Sequence, residues 1–339
     1  MINSVGSKPN FTGEGAKFTS MNDPLFVEAP FEVQKPQDNI RIDRFLALRL
    51  TRYSRARVQA LIRESRVFSH GRLAKASSRV RAGETVIIRY PRKIEPECPI
   101  KSLTVLYEDE DLIAVNKPAG LLSHPSGKSV KNTATEVLKR QFPNIKLRPA
   151  HRLDRETSGV LLLAKSSEIA RILCETFSAH QVQKEYHAAI VGRFPWKTRT
   201  VEVPIGRENG AIYSRQTTGK GRWAKTEFES IFSADDYSLV AARPKTGRLH
   251  QIRVHLAYLG YPIAGDKLYI NDGKAYLKAV EKTITESDLK ELGAKRQMLH
   301  AFKLSFRHPR TGLPLQICAD WPEDFKISPA AVKAYSFLK

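Results

Sequence analysis

The sequence is poor in several features that define whole classes of protein. Its three cysteines, Cys98, Cys174 and Cys318, lie far apart and form no CxxC pair, so neither a disulfide framework nor a zinc site of the usual spacing is expected. No apolar run approaches the ~18 residues of a membrane span. The N-terminus, MINSVGSKPNF, lacks a basic stretch leading into an apolar one. The expectation is a cytoplasmic protein with no membrane association. Neither GxGxxG nor GxSxG occurs, so nothing supports dinucleotide binding or a serine hydrolase. His250 and His255 are five apart, badly placed to chelate one metal from a helix or a strand; no metal and no cofactor are expected.

Acidic residues are scarce as well. There are 35 Asp and Glu against 56 Lys and Arg, a formal charge of +21. Such a surface attracts polyanions and speeds encounter with them, which makes nucleic acid the leading partner. The 339 residues, 41% of them hydrophobic, exceed one typical domain and can bury a sizeable core. A monomer is the default expectation.

Composition divides the chain. Residues 1–38, rich in Asn, Ser, Gly and Pro, read as a loosely ordered arm. In the next segment, 39–91, Ile42, Phe45, Leu46 and Leu50 fall at helical spacing, and Val58, Leu61 and Ile62 follow a capping Ser54. Arg66-Val67-Phe68, a turn at His70-Gly71 and Glu84–Ile88 then read as strands. Between Arg41 and Tyr90 stand thirteen Lys and Arg against three acids, Asp43, Glu64 and Glu84. A solvated face usually mixes signs; this imbalance points to phosphate binding. The stretch RIDRFLALRLTRYSRARVQALIRESRV with HGRLAKASSRVRAGETVII resembles the S4 RNA-binding domain, departing from its pattern at Ser65, where glycine is expected, and at His70, where asparagine is. The resemblance makes Arg52, Arg55, Arg57 and Arg63 candidate RNA contacts.

Prolines 91, 96 and 99 mark a linker over 92–101. Beyond it, residues 102–325 alternate apolar strands with helical patterns, the candidate strands being Leu112–Val115, Val160–Ala164, His187–Val191, Ser238–Ala242 and Leu299–Phe306. Residues 326–339 are a tail. The sharpest polar interruption is His151-Arg152-Leu153-Asp154-Arg155-Glu156-Thr157-Ser158-Gly159, directly before a strand, where functional loops commonly sit. Neighbouring guanidiniums favour an ionised Asp154, ready as a nucleophile. By itself, an aspartate between arginines is more often a structural ion pair.

HRLDRETSG is similar to the signature loop of the RNA pseudouridine synthases of the Rlu type. Leu106–Leu121 resembles that family's opening strand and turn, Lys184-Glu185-Tyr186 with Ala188 and Gly192 its lysine and tyrosine motif, and Thr246–Leu256 its third motif, with Pro262–Asp266 following it. The resemblance covers about Leu103 to Pro322 and implies an α+β fold, with a mixed, largely antiparallel sheet in the catalytic core preceded by the small S4-like domain. It implies isomerisation of uridine to pseudouridine in folded RNA with the base flipped out, large-subunit ribosomal RNA being the favoured target and transfer RNA the second. Asp154 would attack the sugar or the base, or remove a sugar proton. Tyr186 would face the base and accept the C5 proton, and Arg248, expected in a helix's first turn, would pair with Asp154. Arg152 would help evict the base, Lys184 would support the site or contact phosphate, and Arg155 would contact RNA. A non-catalytic RNA-binding or ribosome-assembly protein is the competing reading, and a base-removing hydrolase a third.

Overall fold

A computed structural model describes residues 26–50, 54–91, 95–126, 129–210, 212–281 and 283–326. The chain divides into two compact units, residues 1–94 and 95–339. Most of the expected arm, the C-terminal tail and Arg52 fall outside the described residues.

In the first unit, β1 (Phe26–Glu32), α1 (Ile42–Arg49), α2 (Arg55–Arg63), β2 (Val67–Ser69), β3 (Arg72–Leu73) and β4 (Thr85–Pro91) follow in order. Strand β1 lies inside the stretch expected to be a loose arm. It pairs antiparallel with β4 along its whole length, in a sheet of order β1-β4-β2-β3. Its backbone groups are satisfied across that ladder, a long-range pairing that local composition does not reveal. Ile42, Phe45, Leu46, Val58, Leu61 and Ile62, the residues picked by spacing, form the unit's core with Val67, Val86 and Ile88. Ser54 caps α2 by accepting from the Arg57 amide at 3.2 Å. Ser65 and His70 both adopt positive φ, 55° and 48°, which is the conformation that glycine and asparagine enter most easily.

Several basic side chains of this unit have partners within it. Asp43 is fully buried and accepts from Arg41, Arg55 and Gln59, with Arg55 forming two bonds at 2.9 and 3.1 Å. Arg57 pairs with Glu64 at 3.3 Å. Arg63 is exposed.

The second unit holds β5 (Thr104–Glu108), β6 (Leu112–Lys117), α3 (Ala134–Gln141), β7 (Arg148–Pro149), β8 (Ser158–Ala164), α4 (Ser167–Ser178), β9 (Gln183–Val191), β10 (Thr198–Glu202), β11 (Ile205–Arg207), β12 (Gln216–Thr218), β13 (Lys225–Ser233) and β14 (Tyr237–Pro244). It continues with α5 (Gln251–Tyr258), α6 (Lys274–Glu281), α7 (Glu286–Glu291), β15 (Leu299–Arg307), β16 (Pro314–Cys318) and α8 (Glu323–Lys326). Ten strands form one sheet of order β10-β13-β14-β9-β15-β8-β6-β5, with β16 on β15 and β7 on β8. Its pairings are antiparallel except at β15–β8, a short parallel contact that joins two antiparallel halves. The fold is therefore α+β. Strand β8 is buried throughout: Val160, Leu162 and Ala164 face one core with α4, while Leu161 and Leu163 face another with α3. That alternation is the period-two signature of a central strand covered on both sides.

The parallel seam depends on Gly159. Its φ is +109°, and a Cβ there would overlap the carbonyl and amide of Ala301 on β15. Gly159→Ala is expected to lower unfolding stability by about 3 kcal/mol or more, read by urea denaturation. A change within about 0.5 kcal/mol, the range of a surface substitution, would mean that the seam tolerates separation.

Candidate functional site

The loop carrying Asp154 enters β8 at that seam and is fastened from two sides. From the β6 side, buried Ser123 accepts from the Leu153 amide and donates to its carbonyl, both at 2.9 Å. Gly120 donates its amide to the Arg155 carbonyl at 2.8 Å. The fully buried Lys117 ammonium donates to the carbonyls of Pro118, Leu121 and Arg155. Burial pushes that ammonium down to about 7, against the pull of Asp154. From the β15 side, Gln297 donates its amide to the Glu156 carboxylate and its side chain to the Thr157 hydroxyl, while Arg296 donates to the Glu156 carbonyl. Lys267 pairs with Glu156 at 3.0 Å. A loop held by this many directional bonds presents its aspartate in one orientation.

Asp154 opens onto a cavity of about 720 Å³ whose lining includes Arg152, Lys184, Tyr186, Arg222, Arg248 and His250. Its partner is Arg253, whose Nη1 donates to Oδ2 at 2.9 Å. Arg253 is itself buried and forms a two-bond fork with the fully buried Asp266, at 2.7 and 2.8 Å. The Tyr269 ring packs against the guanidinium at 5.1 Å. Tyr269 also bonds His250 Nδ1 at 2.9 Å, and the other His250 nitrogen stands 3.8 Å from Asp154 Oδ2. Burial raises the Asp154 carboxyl, but Arg253, then His250 and Arg152, outweigh it and hold the group below its ordinary value. His250 is pushed down to about 4 by burial and by Arg253, so it is neutral at physiological pH.

The expected pairing of Arg248 with Asp154 is corrected by this geometry. Helix α5 begins at Gln251, after His250 with φ of 56°, so Arg248 precedes the helix instead of lying in its first turn. The buried Gln251 side chain fixes that start: it accepts from the Thr246 hydroxyl and the Arg248 amide and donates to the Lys225 carbonyl. Arg248 then turns to the Trp223 carbonyl, at 3.0 Å. The available signal was Arg253 itself, a cation between Ile252 and Val254 on an apolar helix, which requires an anion when buried. Asp266, the last residue of the Pro262–Asp266 segment, supplies one. Lys117, Ser123, His250 and Tyr269 are further site residues that spacing did not single out.

The other expected residues fall as follows. Tyr186, on β9, lines the cavity, and burial together with the Asp154 charge raises its phenol, which stays protonated at neutral pH. Lys184, two residues before it, donates to the Thr246 carbonyl at 3.0 Å; burial and then Arg248 push its ammonium down to about 8. Arg152 is exposed and lines the cavity. Arg155 does not line it; its guanidinium donates to the Gly120 carbonyl at 3.0 Å.

The RNA pseudouridylate synthase family pattern matches residues 111–258. An RNA pseudouridine synthase of Chloroflexus aurantiacus is 38% identical over 295 residues, spanning 85% of this chain and 88% of that protein. The ribosomal large subunit pseudouridine synthase D of Xanthomonas campestris is 35% identical over 293 residues, spanning 84% and 87%. Among solved structures, human RNA pseudouridylate synthase domain containing 1 is similar, with a TM-score of 0.52 at 26% identity, covering 68% of this chain and 87% of that one. The chain belongs to the RNA pseudouridine synthase family and is an enzyme that isomerises uridine in RNA.

Replacing Arg253 by Gln leaves two carboxylates, one of them fully buried, without their cation. The expected loss of unfolding stability is about 3–5 kcal/mol, measured by chemical denaturation. A loss below about 1 kcal/mol would show that the two aspartates do not need this arginine.

Proposed function

We propose that this enzyme converts uridine in large-subunit ribosomal RNA to pseudouridine in the cytoplasm, using Asp154 as the catalytic anion on a base extruded into its cavity. The observation that carries the reading is the Asp154 carboxylate, ionised by Arg253 and opening onto a cavity that also presents an aromatic ring and several cations. Isomerisation breaks the N1–C1′ bond, forms a C5–C1′ bond and transfers the C5 proton. Positive charge develops at the sugar as the first bond breaks, and a carboxylate can stabilise or trap it, as in glycoside hydrolysis. One oxygen of Asp154, Oδ2, receives Arg253, which leaves Oδ1 to meet the substrate. The same anion serves whether it attacks the sugar, attacks the base or removes a sugar proton.

Tyr186 offers its ring to the detached uracil. Because its phenol is held protonated, it can receive the C5 proton only while giving up its own. Arg152, exposed at the cavity, has the planar, multiply donating group suited to filling the gap left by a flipped base. Lys184 has the charge to contact phosphate at neutral pH and loses it as pH rises through about 8. No group of three or more His, Cys, Asp or Glu among the described residues is placed to hold a metal ion.

Large-subunit ribosomal RNA is favoured over transfer RNA by the relative named for that subunit and by the basic first unit, which we read as an S4-like RNA-binding domain. Its helix pair and the positive φ at Ser65 and His70 support that reading. Arg63 and Arg52 are its proposed phosphate contacts; Arg55 and Arg57 contact RNA only with whatever donor capacity their carboxylates leave.

Asp154→Asn keeps the shape of the side chain and removes its charge. Release of tritium from RNA labelled at uridine C5 is expected to fall about a thousandfold or more, while binding of ribosomal RNA is retained. Normal release by this variant would overturn the mechanism.

A further inference from the structure

We propose that Trp223, Arg222 and Arg248 form a ledge at the mouth of the Asp154 cavity that takes the nucleotide next to the target uridine, its base on the indole and its phosphodiester on the two guanidiniums. The proposal rests on the reading that this cavity accepts a uridine of RNA. It concerns residues that chemistry at the uridine does not use.

The ledge is built by backbone before side chains enter. After the hairpin β11–β12, Gly219 and Gly221 take φ of +85° and +90°. A Cβ on Gly221 would overlap the Ile205 carbonyl and the Gly206 backbone, so only glycine lets this segment lie against β11. Directly after it, Arg222 exchanges two backbone hydrogen bonds with Ile205, at 2.8 and 2.9 Å. Ala224, fully buried, packs with Ile205 and Val254 of α5. Arg222 and Trp223 are therefore held between two anchored residues, and they do not swing freely on a loop.

The side chains have the chemistry of a single-strand platform. Trp223 is 49% exposed, a large apolar surface for a residue whose indole Nε1 is already tied to Glu202 at 3.1 Å. Its carbonyl accepts from Arg248 Nε, which places the second guanidinium beside it. Arg222 and Arg248 both line the cavity, as does Leu249, itself 45% exposed. Burial and the Arg222 charge both disfavour the Arg248 cation. The one carboxylate among the cavity's lining residues is Asp154, and Arg253 takes it. Among the described residues no carboxylate lies within ion-pair distance of Arg222 or Arg248, so both guanidiniums are open to a phosphate, and an exposed aromatic at their side is what sequence-tolerant binding of an unpaired nucleotide uses.

The test measures binding in the full-length Asp154→Asn protein, so that turnover does not intervene, with a decamer of uridylate as the probe. Stacking on Trp223 should quench tryptophan fluorescence, and the quench should vanish when Trp223→Leu is added. The decamer's Kd should rise between about 5- and 150-fold in that variant, while Trp223→Phe, which keeps an aromatic face, should stay within about threefold of the parent. Arg222→Gln should reduce the log–log salt slope by about 0.7. Unchanged quenching and Kd in Trp223→Leu, or an absence of quenching in the parent, would overturn the ledge. So would a loss in Trp223→Phe as large as in Trp223→Leu, because the bond to Glu202 would then be what matters. These outcomes are independent of the mechanism, which falls if Asp154→Asn still releases tritium from labelled ribosomal RNA.

Discussion

The site depends on a single guanidinium shared between two carboxylates. Arg253 sits almost out of solvent, forks onto Asp266 and extends one further nitrogen to Asp154. A buried arginine is costly unless its charge is answered, and Asp266 answers it completely enough that the bond to Asp154 can be partial. Asp154 thus gains a strong electrostatic reason to be ionised without being consumed as a structural ion pair. The division of labour explains why one aspartate in the region is fully buried and the other, 23% exposed at its side chain, opens onto the cavity.

The larger fold serves this arrangement by holding three separate segments in register. The Asp154 loop comes from the start of β8, Tyr186 and Lys184 from β9, and Arg253 from α5 after β14. In the sheet, β15 stands between β8 and β9, so the parallel seam at Gly159 and Ala301 sets how far the loop lies from the tyrosine. Lys117, Ser123, Gln297 and Lys267 then remove the loop's remaining freedom. Bonds of this kind make the position of the cavity's carboxylate reproducible.

Much of this was legible in the sequence wherever the signal was local. Strand β8 announces itself as an unbroken apolar run, and the Ser54 cap with the spacing Val58, Leu61, Ile62 marks α2. Asp154 stands out because polar residues interrupt apolar ones at a strand entrance. Less legible were the features decided by distant partners. Arg248 and Arg253 look alike in a stretch of alternating polar and apolar residues, and only the Gln251 network and Asp266 decide which one reaches Asp154. Strand β1 depends on a partner some sixty residues away along the chain, at β4. Likewise the count of arginines in the first unit overstates what is free for phosphate, since Asp43 and Glu64 occupy Arg55 and Arg57.

Everything at this site turns on the charge state of one side chain. Carbon-13 NMR of the Asp154 carboxyl, followed as acid is added, measures it directly. With Arg253 in place, more than half of this carboxyl is expected to be still ionised at pH 3.8, the ordinary midpoint for an aspartate. A carboxyl already half protonated above that pH would show that Arg253 does not hold it as an anion.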